Sequence, residues 1–225
     1  MKFTYYGHAA FSLEIGGKHL VFDPFISPND LAKSIDINTI KADYILVSHG
    51  HGDHIADVAA ITKNTGATVI GGIEVINWLS SKGVENGMGI NFGSIELDFG
   101  RLSFVPAAHS SSLPDGSYGG NPGGFVIASP NGNFYYSGDT SLSAEMQMIP
   151  YYASLNVAVL PIGGYFTMDA KDAVRAADLI QCKTVIGVHY DTFPPIKLDK
   201  DHAKSLFAMA DKELLLPEIG ESIEF

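Results

Sequence analysis

Four short apolar runs in this chain each lead, within a few residues, to a histidine or an aspartate. Tyr44-Ile45-Leu46-Val47 leads to His49, Phe104-Val105 to His109, Phe134-Tyr135-Tyr136 to Asp139, and Val185-Ile186-Gly187-Val188 to His189. Short apolar runs bounded by turn residues read as buried strands. In α/β proteins, ligand sites lie just beyond the ends of such strands. The chain is therefore expected to build a strand-rich core and to hang metal-ligating side chains from the strand ends.

The densest of these points is His49-Gly50-His51-Gly52-Asp53-His54, with three imidazoles and one carboxylate in six residues. In extended backbone, residues two apart point the same way, so His49 and His51 can share one target. Gly50 and Gly52 are expected to let the chain bend, turning Asp53 and His54 into the same cavity. Imidazole nitrogen and carboxylate oxygen suit Zn²⁺ and, with more oxygen, Mn²⁺ or Fe.

The H-x-H-x-D-H motif resembles the signature of the metallo-β-lactamase fold superfamily. The later positions of that pattern are filled in order by His109, Asp139 and His189, so the resemblance spans nearly the whole chain. It implies an α/β fold, a four-layer αββα sandwich of two mixed β-sheets with helices on both outer faces. It also implies two divalent metal ions. His49, His51 and His109 would hold one, Asp53, His54 and His189 the other, with Asp139 bridging. Such a pair, about 3.5–4 Å apart, activates a hydroxide for hydrolysis. Histidine at position 51, where the oxygen-reducing diiron branch resembles H-x-E-x-D-H, favours hydrolysis over redox chemistry. Zinc is the first expectation for the metal, with manganese and iron open.

Composition narrows the class. One cysteine, Cys182, excludes an internal disulfide, and the N-terminus lacks the apolar stretch of a secretion signal, so a cytoplasmic location is expected. A formal net charge of −11 with only two arginines argues against nucleic-acid or anionic-membrane partners. The expected partner is a small-molecule substrate, and a homo-oligomer is compatible with the sequence. Residues 1–225 are expected to form a single metallo-hydrolase domain, with no linker or short-period repeat.

Strands are expected at Lys2 to Tyr6, Ala10 to Ile15 and His19 to Asp23, the last two joined by Gly16-Gly17. Two further hairpins are expected, one turning at Gly100-Arg101 and one at Pro130-Asn131-Gly132. Apolar spacing predicts helices ending at Gly66, over Ile73 to Ser81, along Ala170 to Ala177, and around Ala203 to Ala210. Cys182 is expected to pack from a helix face.

Two candidate catalytic residues stand out, Asp53 and His8. The segment Gly7-His8-Ala9 resembles one found in the ascorbate-6-phosphate lactonase-like and uncharacterised metal-dependent hydrolase branches. There His8 would reach the cavity as a substrate contact or general acid. Asp23 resembles the carboxylate that orients a ligand histidine. Ser48 and Thr140 flank ligands and are candidates for hydrogen bonds to them. The long segment from Ser110 to Gly124, with Phe166 to Met168, Tyr190 and Phe193, is expected to wall a partly apolar pocket. The chain is too short for the extra helical domain or arms of the glyoxalase II and nuclease branches, and it has Asp53 where true β-lactamases place a cysteine. The reading is therefore a hydrolase of an ester, lactone or amide bond. Phosphodiester cleavage and non-catalytic metal binding remain as alternatives.

Overall fold

A computed structural model describes residues 1–225. Its strands form two seven-stranded sheets. Sheet 1 holds β1 (Lys2–Gly7), β2 (Ala10–Ile15), β3 (Lys18–Phe22), β4 (Tyr44–Val47), β5 (Thr68–Gly72) and β6 (Gly87–Ile90) in chain order, with β14 (Ser222–Glu224) outside β1. Sheet 2 holds β7 (Gly93–Leu97), β8 (Gly100–Pro106), β9 (Gly123–Ser129), β10 (Gly132–Tyr136), β11 (Val157–Pro161), β12 (Thr184–Val188) and β13 (Glu213–Leu215), also in chain order. Both sheets are mixed. Sheet 1 is antiparallel from β14 to β3 and parallel from β3 to β6, while sheet 2 is antiparallel from β7 to β10 and parallel from β10 to β13.

Side-chain alternation explains the layering. Along β1, Phe3 and Tyr5 are buried between the sheets while Lys2, Thr4 and Tyr6 are only part-buried on the other face. The inner layer stacks Phe11 on Phe22 with ring centroids 4.5 Å apart and meets Phe134 and Tyr136 from sheet 2. The central parallel strands β4, β5, β11 and β12 are buried on both faces, so they need cover outside. On sheet 1 that cover is α1 (Gly52–Ile55), α2 (Val58–Thr65) and α3 (Ile73–Ser81). On sheet 2 it is α4 (Ala170–Leu179) and α5 (Lys200–Met209). The result is the four-layer αββα sandwich.

Local signals account for the helix ends. Asp169 caps α4 by accepting from Asp172 N at 2.8 Å, and the Ala173, Ala176 and Ala177 stripe is buried. Gly66 ends α2 at φ +73°, a left-handed conformation that favours glycine. Three expectations shift. The β7–β8 hairpin turns at Asp98-Phe99, because Leu97 pairs with Gly100. Cys182 sits not on a helix face but in the turn after α4, buried, with Sγ near Thr184 O. Strands β5, β6, β11 and β13 were not read as strands, being short or glycine-rich. No helix is long and apolar enough to cross a membrane.

Candidate metal centre

The strand ends bring the donors to one edge of the sandwich. After β4 the chain runs through Ser48-His49-Gly50-His51 into the single turn of α1. There His54 N donates to His51 O at 3.0 Å, so Asp53 and His54 ride on a helical turn rather than on a bent loop. Neither Gly50 nor Gly52 takes a left-handed φ. Gly50 instead leaves room for the long loop, since a Cβ there would come within 2.9 Å of Leu113 Cδ2 and displace that side chain.

All seven residues expected to bind metal lie together. His49 Nε2 is 2.9 Å from His51 Nδ1, and the His109 ring lies 5.1 Å from each of theirs. One donor atom each from Asp53, His54, His189 and His8 falls within 4.8 Å of the others. Asp139 joins the two groups, its Oδ2 being 3.0 Å from His189 Nε2, 3.3 Å from His54 Nε2 and 3.6 Å from His109 Nε2.

Behind the donors, Asp23 organises two imidazoles. Its Oδ1 accepts from Ser48 N at 2.7 Å, and its Oδ2 accepts from Ser48 Oγ, from Tyr136 Oη at 2.6 Å and from His54 Nδ1 at 2.8 Å. Because Ser48 Oγ donates to Asp23, it accepts from His49 Nδ1, 2.9 Å away. Both imidazoles thus spend their Nδ1 hydrogens backwards and turn an Nε2 lone pair into the cluster. His54 Nε2 then faces the Asp139 carboxylate at 3.3 Å, so the pair calls for a cation between them, a proton or a metal ion.

That arrangement fits a divalent cation. His54 Nε2, Asp139 Oδ1 and His189 Nδ1 are buried without a hydrogen-bond partner. Such atoms are nearly always partnered, and leaving one unpaired costs about 1–3 kcal/mol. The charge balance makes the same demand. Burial opposes ionisation of His54, but Asp139 and Asp23 outweigh it and hold its pKa well above the usual value. Asp139 is driven well below the carboxylate range by His189 and His54 despite its burial. His49, His51 and His109 are held low, chiefly by burial, and so are available as neutral donors.

His8 comes to the cluster from the far edge of sheet 1, but its ring does not line the cavity. Its Nε2 lies 3.2 Å from Asp53 Oδ2 and its Nδ1 2.9 Å from Thr192 Oγ1. The ring is covered by His189, Phe193 and Phe25. Burial, then the positive field of His189, pulls its pKa down to about 4 against the pull of Asp53. Asp53 is lowered below the carboxylate range, its burial outweighed by the His8 hydrogen bond and by His54. His8 takes φ +55°, and its carbonyl accepts from His189 N at 2.8 Å and from Tyr5 Oη at 3.0 Å.

The donors open into a cavity of about 460 Å³ lined also by Ser110, Phe166, Phe193 and Pro195. A larger groove among Thr4, Ser12 and Glu14 holds none of the donors and is remote from the chemistry. Of the expected wall, Phe166 and Phe193 line the cavity, whereas Met168 and Tyr190 are buried in the outer layer of sheet 2. From the long loop only Ser110 reaches it, the remainder being tied to α3 through Trp78 Nε1 on Asp115 at 2.6 Å. Thr140 donates to Ser141 O and accepts from Ala108 N, holding the two ligand loops together rather than touching a ligand. Sequence reasoning missed Thr192, Pro195 and the Tyr136 hydroxyl, which carry no local motif.

A family model for the beta-lactamase superfamily domain matches residues 2–189. The chain belongs to the metallo-β-lactamase superfamily. Within it the chain is 49% identical to a UPF0173 metal-dependent hydrolase of Flavobacterium johnsoniae and 50% identical to one of Christiangramia forsetii, each aligned over the full length of both proteins. Among solved structures, Igni18, a metallo hydrolase of the archaeon Ignicoccus hospitalis, is 36% identical with a TM-score of 0.88, covering 100% of this chain and 98% of that one. An isothiocyanate hydrolase from Delia radicum gut bacteria shares the fold alone, at 18% identity and a TM-score of 0.81 over 100% and 99% of the two chains. This metallo-β-lactamase superfamily member is thus a metal-dependent hydrolase.

Proposed function

We propose that the enzyme, as a single domain spanning 1–225, cleaves an ester, lactone or amide bond of a small molecule with two divalent ions. His49, His51 and His109 would hold one and Asp53, His54 and His189 the other, with Asp139 shared. The observation that carries this is the pair His54 Nε2 and Asp139 at 3.3 Å, backed by buried atoms that lack partners. Zinc suits the five imidazoles, and the two carboxylates also accommodate manganese or iron.

When bound, such ions acidify a water and polarise the scissile oxygen. The chain's own groups do the rest. Asp23 and Ser48 hold His54 and His49 in one tautomer and one orientation. Asp53, part-exposed at the cavity, is the proposed acceptor of the proton released on attack. His8 acts through Asp53, fixing that carboxylate from behind while Thr192 fixes His8. Phe166, Phe193 and Pro195 exclude water from the cavity walls.

The experiment is elemental analysis of metal-loaded protein, joined to turnover of ester, lactone, amide, β-lactam and bis-nitrophenyl phosphate substrates. Two ions per chain with cleavage of a carbonyl substrate is the expected result. At most one ion per chain overturns the dinuclear site, and turnover of the phosphodiester alone overturns the bond assignment.

A further inference from the structure

The cavity walls differ from its floor. None of the residues lining it is a lysine or arginine. The floor contributes Asp53 and Asp139, and the chain as a whole carries −11. Away from the donors, a phosphate or carboxylate on a substrate's tail would find no side-chain cation to pair with.

The walls are aromatic and are not there for folding. Phe166 is 49% exposed, and neither it nor Phe193 belongs to any of the three core clusters. Phe166 stands on a tight turn anchored to the donors. Met168 N in that turn donates to Thr140 O, next to Asp139, at 3.0 Å, and Gly164 N donates to Met168 O at 2.9 Å. At the root of the turn, Gly163 packs so closely on His189 that a Cβ would lie 2.2 Å from the His189 carbonyl. Tyr165 holds φ +62°, a strained conformation for a non-glycine residue, and its ring meets Phe166 edge to face at 4.7 Å. Strain of this kind persists where the surrounding structure enforces it, and here it presents an exposed phenylalanine at a set distance from Asp139 and His189. Phe193, on the loop after His189, supplies the other wall, its ring packed edge-on to His8.

We propose that the natural substrate is uncharged away from the scissile bond and carries an aromatic or branched apolar group that lies between Phe166 and Phe193. The inference rests on the metal-hydrolase reading above. It sets this site apart from one built for a sugar phosphate, the substrate type implied by the lactonase-like resemblance.

The test is calorimetric binding of three hydroxamate probes to the metal-loaded protein: acetohydroxamate, phenylacetohydroxamate and succinic monohydroxamate. Acetohydroxamate reads the metal alone. The phenyl probe is expected to bind at least about tenfold tighter than acetohydroxamate, and the carboxylate-tailed probe no tighter. Phe166→Ala should bring the ratio of phenyl-probe to acetohydroxamate affinity, measured within the same variant, close to one. Equal binding of the phenyl and methyl probes, or preference for the carboxylate tail, overturns the substrate class. Failure of acetohydroxamate itself to bind overturns the metal reading, and this inference falls with it.

Discussion

His8 Nε2 lies 3.2 Å from Asp53 Oδ2, although 45 residues separate the two. The contact closes a chain of side chains from Thr192 through His8 to Asp53, behind the floor of the cavity. An expected donor and an otherwise unexplained histidine thereby become one unit.

His8→Asn keeps a side chain that tolerates the left-handed backbone at φ +55° but cannot span to both Thr192 and Asp53. Disrupting a group that orients a metal ligand typically costs 10–100-fold in activity or metal affinity. We predict a fall of about that size in kcat, with the circular dichroism spectrum unchanged. A variant with wild-type kcat and wild-type metal affinity would remove His8 from the scheme.

Asp139→Ala should lose one of the two proposed ions and nearly all turnover while remaining folded. Its carboxylate lies between both donor groups, whereas the core is the aromatic layer between the sheets. Metal content and thermal unfolding on the same sample read both halves of this prediction. If the variant fails to fold while metal-free wild type stays folded, Asp139 is a structural residue.

Asp23→Asn tests the buried hub. Four donors reach this carboxylate, three of them on Oδ2, and an amide offers them one oxygen instead of two. The expected loss is about 2–4 kcal/mol in urea unfolding of the metal-free protein, with weaker metal binding besides. An unfolding midpoint within error of wild type would mean that the hub is less strained by the change than its hydrogen bonds require.

Chelation should abolish turnover and lower the thermal midpoint without unfolding the chain at 25 °C. Bound ions add stability as RT ln(1 + c/Kd), where c is the free metal concentration, a contribution that vanishes when a chelator removes the free metal, and burial in a domain of this size comes from the sheets. Unfolding on addition of chelator would show instead that the metals hold the fold together.

Much of the site was legible because each donor follows a buried strand. Strand ends and tight turns leave local marks, as apolar runs, glycines and capping aspartates such as Asp169. With the resemblance that the histidine motif carries, the hydrophobic pattern was enough for the sandwich and for the order in which the donors arrive. It was not enough for β6, whose Gly87-Met88-Gly89-Ile90 pairs with β5 only because the neighbouring strand and α3 are already in place.

What the sequence determined by itself was therefore the class of fold, the cluster of candidate donors and membership of a hydrolase family. Those follow from the apolar runs and from the resemblance that the histidine motif carries. The tertiary structure decided which groups stand behind which. Asp23 meets Tyr136 across 113 residues, and His8 meets Thr192 across 184. It also decided that Phe166 faces the cavity while Met168, two positions on, is buried in the outer layer of sheet 2. Such contacts depend on how two sheets pack and how loops from both cross one edge, and neighbours along the chain carry no trace of that geometry.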